Sequence, residues 1–99
     1  MNGNPLDPIK KADMALFEQI EDARELAFKD GEISKKNKFL IALAIDAAKL
    51  SHGGIRSLAT QALENGATKN EIMETLRVAN FICGVGSIYA AAEALKDIL

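Results

Sequence analysis

The stretch Lys38–Gly66, KFLIALAIDAAKLSHGGIRSLATQALENG, decides the fold. From Phe39 to Ile45 every position is apolar. A run of Leu, Ile and Ala of this kind reads as a helix that is apolar all round and therefore buried on all sides. It leads into Ser51-His52-Gly53-Gly54, the one place where a hydroxyl, an imidazole and a glycine pair meet. Beyond that turn Ile55, Leu58, Ala59, Ala62 and Leu63 recur at helical spacing, and Gly66 closes a helix over His52–Asn65. A buried helix that delivers small polar groups into a core is a sound frame for a site.

Upstream, Ser34 is placed to cap the apolar helix, which runs to about Leu50. Before it, Asp7 is read as an N-cap with Pro8 at the first helical position of a first helix. Ile9, Ala12, Leu16, Ile20, Ala23 and Ala27 make its apolar stripe, and Phe17, Leu26 and Phe28 widen it. Asp30-Gly31 is expected to end it with a left-handed glycine. Downstream, Thr68-Lys69-Asn70-Glu71 has the form of a capping box, in which hydroxyl and carboxylate satisfy each other's backbone donors. The helix it opens is expected to bury Ile72, Leu76, Ala79, Met73, Val78 and Ile82 and to break at Cys83-Gly84-Val85-Gly86. A last, alanine-rich helix over Ser87–Leu99 sets Ile88, Ala91, Ala92, Leu95 and Ile98 inward. Met14 and Met73 read as core filler. No alternating strand pattern appears. The expectation is an all-α fold of about five helices in a single domain spanning 1–99.

The 99 residues carry 12 basic and 14 acidic side chains, a net charge of −2, and one cysteine, Cys83. That balance supplies no field for nucleic acid or an anionic membrane. Lys35, Lys36 and Lys38 read as a solvated helix start, since duplex binding uses about six or more phosphate contacts. A single cysteine excludes an intrachain disulfide and a thiolate metal cluster, so no metal or cofactor is expected. Met1–Pro5 is polar and rich in breakers, unlike a signal peptide, and the apolar runs fall short of the ~20 residues of a membrane span. A cytoplasmic protein is the expectation. The surplus apolar surface on the second and fifth helices exceeds what one small domain covers, which points to a homo-oligomer.

Three segments resemble the carboxymuconolactone decarboxylase family, which includes alkylhydroperoxidase D. They are Ser34–Ala44, SKKNKFLIALA; Ala62–Ile72, ALENGATKNEI; and the turn Phe81–Gly86, FICGVG. The resemblance covers about Ile33 to Leu95. It implies an all-helical fold assembled as trimers or hexamers, with a site near a subunit interface. The peroxidase branch of the family uses a glutamate, a C-x-x-C pair and a histidine four residues further on. Aligned through Gly66, those positions hold Phe39, Ser51 with Gly54, and Leu58. Serine cannot replace a thiolate that must cycle through a disulfide. The thiol mechanism is therefore expected to be absent. The decarboxylase branch also carries a histidine at the Leu58 position and a proline at Gly86, so its reaction is not implied either.

His52 lies six residues before Leu58, almost two helical turns away, and cannot inherit that histidine's role. It is read either as a first-turn surface residue beside an N-cap at Ser51 or as an acid–base group of a small-molecule site. Asp46, Ser51, Gly53, Gly54, Arg56 and Ser57 are the candidates to line that site, with Gly53 and Gly54 allowing close approach. Asp46 is read either as a polar edge of its helix or as an acid paired to His52 or Arg56. Cys83 is a small hydrophobe at a turn or the thiol of a single-cysteine peroxidase or redox sensor. Three functions follow: a non-redox family member that binds or converts a small molecule in an interface pocket, a thiol protein working through Cys83, and a non-catalytic oligomeric scaffold.

Overall fold

A computed structural model describes residues 3–99; Met1 and Asn2, the start of the polar opening stretch, lie outside it. The described residues form six helices and no strand: α1 (Asp7–Ala12), α2 (Met14–Phe28), α3 (Lys35–Ala48), α4 (His52–Glu64), α5 (Lys69–Cys83) and α6 (Gly86–Ala94). The all-α expectation stands, with one helix more than expected.

The added boundary falls at Asp13, where the backbone leaves the helical region and the carboxylate accepts from the Leu16 amide at 3.0 Å. Asp13 thus caps a new helix within what the apolar spacing reads as one. α2 then ends at Phe28, before Gly31, which takes no left-handed conformation. Instead Asp30 turns the chain, its carboxylate accepting from the Lys35 amide at 2.7 Å. The last helix stops at Ala94, short of Leu99.

Local signals elsewhere act as read. Ser34 Oγ accepts from the Asn37 amide at 3.2 Å. Thr68 and Glu71 form the reciprocal capping box, at 2.9 and 3.0 Å. Lys36 ion-pairs with Glu71 at 2.9 Å and Lys38 donates to the Lys29 carbonyl at 2.7 Å, so two of the clustered lysines tie helix ends together. α4 closes on Gly66 (φ +99°), with the Ala67 amide donating to Ala62 O and the Gly66 amide to Leu63 O. α3 closes in the same pattern, Ser51 N–H to Asp46 O and Leu50 N–H to Ala47 O, but with Leu50 at φ +58°. A side chain there costs about 1–2 kcal/mol that glycine would avoid.

The core is one stripe from each of four helices: Leu43 and Ala47 of α3, Ile55 and Ala59 of α4, Ile72, Leu76 and Ala79 of α5, and Ala90, Ala91 and Ala94 of α6 followed by Leu95. Alanines on α6 let its backbone approach closely, and buried Ser87 keeps its hydroxyl satisfied by donating to Gly84 O at 2.8 Å. A smaller cluster holds Phe39, Ala62 and Ala67, with Phe28 stacked on Phe39 at 4.6 Å between ring centroids. This contact moors the end of α2 to α3.

Several expected core positions are exposed. α3 is not buried all round, because Ile41 and Ile45 are about half exposed. Met73, Val78 and Ile82 of α5, Met14 of α2 and Ala92 of α6 are also exposed. α1 and α2 bury no residue at all, so the first helix's apolar stripe has little to cover it. The α1–α2 arm stands off the bundle, and the Cα radius of gyration, 14.3 Å, exceeds the ~13 Å usual for this length. Each of the bundle helices buries a narrow stripe, and the wider apolar surface read from the sequence is left partly exposed.

Candidate functional site

α3 and α4 are joined by a three-residue turn and run antiparallel, with Asp46 against Gly54 at one end and Phe39 clustered with Ala62 at the other. α2 lies across the mouth of this pair. The space between the three helices is a cleft of about 910 Å³, within the usual size of a small-molecule site. α2 contributes Ile20, Glu21, Arg24, Glu25 and Phe28; α3 contributes Lys35, Phe39, Ala42, Ile45 and Asp46; α4 contributes Gly54, Ser57, Leu58 and Gln61. These positions recur every three or four residues, so each helix turns one edge to the cleft.

Apolar side chains line the cleft alternately with polar and charged ones from all three helices. Glu21 of α2 and Asp46 of α3 both line the cleft, as do Lys29 and Lys35. Glu21 Oε2 is closed off from solvent without a hydrogen-bond partner, and Arg24 Nη2 stands 3.8 Å away, beyond hydrogen-bond reach. Among the described residues Asp46 also has no side-chain hydrogen bond. Its carboxylate rests on the Cα of Gly54: a β-carbon at position 54 would collide with Asp46 Oδ2 and lie 2.9 Å from its Cγ. Ser57 Oγ accepts from Gln61 Nε2 at 3.1 Å and keeps its own hydroxyl proton available.

Of the residues singled out from sequence, Asp46, Gly54 and Ser57 line the cleft, together with Phe39 and Leu58. Ser51, His52, Gly53 and Arg56 are not among the lining residues. Ser51 begins α4 without a side-chain cap bond, His52 is exposed, and a β-carbon on Gly53 would meet open space. Arg56 turns toward the chain's end instead of toward Asp46. It donates to both carboxylate oxygens of Asp97, one at 3.0 Å, and to Ala94 O at 3.3 Å. This bidentate pair raises the guanidinium pKa and holds the Asp97 carboxyl below its ordinary value. Lys36 and the Thr68 amide lower Glu71 in the same way. Cys83 is exposed at the end of α5 and does not line the cleft. Sequence reading misses Glu21, Arg24 and Gln61. All three lie on the edges of amphipathic helices, and only the packing of α2 over α3 and α4 shows which edge matters.

Among the described residues no cluster of three or more His, Cys, Asp or Glu is placed to hold a metal ion, and no helix is long and apolar enough to cross a membrane.

The model of the carboxymuconolactone decarboxylase family matches residues 15–97, a wider span than the three sequence segments. The fold is similar to the crystal structure of a carboxymuconolactone decarboxylase family protein from Legionella pneumophila, solved in its apo form. The two share 35% identity and a TM-score of 0.86 over 92% of this chain and 81% of that one. No curated protein matches the chain.

Proposed function

We propose a function from a plain premise: this chain belongs to the carboxymuconolactone decarboxylase family. Within it, the chain is a member without the redox cysteine pair that binds a small molecule in the α2–α3–α4 cleft. One observation carries the reading. Phe39, Gly54 and Leu58, three of the four positions that the resemblance aligns with the family's redox residues, line a single 910 Å³ cleft, and Asp46 and Ser57 also line it. A cavity at these aligned positions, with different chemistry lining it, supports the reading. With one cysteine in the chain, and that one outside the cleft, a disulfide cycle within the subunit has no second sulfur.

The reading includes a homo-oligomer, a trimer or hexamer. It is supported by an apolar corner where α5 meets α6. Phe81 is 86% exposed and Tyr89 75%, with Val78, Ile82 and Val85 also exposed. Such a patch on a monomer marks an interaction site. A Phe81→Asp variant is expected to sediment as a smaller species than the unmodified chain; unchanged sedimentation at low concentration would remove this corner from the interface.

The test of the cleft is a fragment screen followed by amide 15N–1H spectra. Binders are expected to shift Asp46, Gly54, Ser57 and Leu58 as a group. Shifts confined to the Cys83 turn would favour the thiol reading, and there peroxide consumption lost in Cys83→Ser would decide for it. No binder anywhere would leave the oligomeric scaffold as the function.

A further inference from the structure

We infer that Asp46 is the anchor of the cleft, that Gly54 is the residue that positions it, and that the ligand is held through a hydrogen-bond donor, an ammonium or hydroxyl group, on an apolar body. This rests on the reading of the cleft as the binding site and goes further, to the chemistry of the ligand.

The Asp46 carboxylate occupies the volume that any β-carbon at position 54 would fill. Glycine is therefore required at 54 for the carboxylate to stay where it is, beside the cleft. The acid and the glycine form one device made of two residues on two helices. It stands where the resemblance places the second cysteine of the pair, so a side chain at 54 would turn the Asp46 carboxylate out of its present place.

A carboxylate can only accept hydrogen bonds. Among the described residues no group donates a hydrogen bond to the Asp46 side chain, whereas Glu21 Oε2, a solvent-shielded carboxylate oxygen of the lining, is ion-paired with Arg24 at 3.8 Å. Asp46 is thus an acid of the cleft with no cation among the described residues on it. A donor on the ligand completes it; a carboxylated ligand would set a second negative charge against it. The rest of the lining, Ile20, Phe39, Ala42, Ile45 and Leu58, suits a hydrocarbon or aromatic body.

Three matched probes test this: benzylamine, benzyl alcohol and benzoate, titrated into the whole chain and followed by amide 15N–1H spectra. Benzylamine is expected to bind best, with benzyl alcohol next and benzoate weakest, and the shifts should centre on Asp46 and Gly54. Asp46→Asn and Gly54→Ala are each expected to weaken benzylamine at least tenfold. The double variant should be no worse than Asp46→Asn alone, because Gly54 acts through Asp46. Alanine suits a helix better than glycine, so Gly54→Ala should retain its unfolding midpoint, which separates positioning from folding. Benzoate binding in the cleft as tightly as benzylamine, or full affinity in Gly54→Ala, overturns the inference and leaves the cleft standing as the site. Failure of all three probes to shift any cleft amide overturns both.

Discussion

The α3–α4 hairpin and the α1–α2 arm are built from similar material and meet opposite surroundings. α3 repeats apolar residues at Phe39, Leu43 and Ala47 and buries all three. α2 repeats them at Leu16, Ile20, Ala23 and Ala27 and buries none. The difference does not lie in the spacing. The hairpin has α5 and α6 behind it, while the arm touches the bundle chiefly through Phe28 and bridges the cleft along the rest of its length. An amphipathic stripe states that a face needs cover; the cover itself is a tertiary fact. The arm's loose seat is also what leaves room for a ligand, since a helix packed down on Ala42 and Leu58 would close the cleft.

The largest expected effect sets the two regions against each other directly. Leu43→Ala, at a side chain with 0% exposure, should cost about 2–5 kcal/mol in urea unfolding. Leu26→Ala, 68% exposed on the arm, should stay within about 0.5 kcal/mol. Equal losses would show that the arm is covered in solution, and a loss at Leu26 that shrinks with dilution would identify a second copy as the cover. The mooring between the regions comes next. Phe28→Ala removes the ring stacked on Phe39 and should cost about 1–2 kcal/mol. Its amide spectra should change along α2 far more than along α5.

Smaller effects belong to the ends of the bundle. Thr68→Ala breaks the capping box and should lower stability by about 1 kcal/mol in the same unfolding measurement. The carboxyls of Asp97 and Glu71 are both held below their ordinary values, chiefly by hydrogen bonds from Arg56 and Lys36. A depressed carboxyl contributes stability above the pKa it has unfolded and loses it as pH falls through its folded value. The urea midpoint should therefore fall on acidification below about pH 4, and Asp97→Asn should fall less steeply over that range. These pairs are solvent-exposed, so the change is expected to be the smallest of the series and to shrink with added salt.

Much of the molecule is legible in its residues alone. Ser34 and Thr68 open helices because a side-chain oxygen three residues ahead of a free amide acts locally. Gly66 ends one because only a short-range backbone conformation is at stake. Asp13 escapes the reading for the same kind of reason turned around. Its cap competes with an apolar rhythm that runs through it from Ile9 to Leu16, and the rhythm is the louder signal. Within the site, Asp46, Gly54 and Ser57 are recognisable as polar or small residues in an apolar stretch. Their use together is not, and neither is the diversion of Arg56 to Asp97, 41 residues away.

What the sequence determined by itself is the helical class, most of the helix ends and the absence of the redox cysteine pair, all of which depend on residues within a turn or two or on identity alone. Only the tertiary structure decided which faces are covered, that α2 spans a cleft instead of joining the core, and that Asp46 sits on Gly54. Those depend on how helices meet across distant parts of the chain, where a shift of one helix edge changes every neighbour.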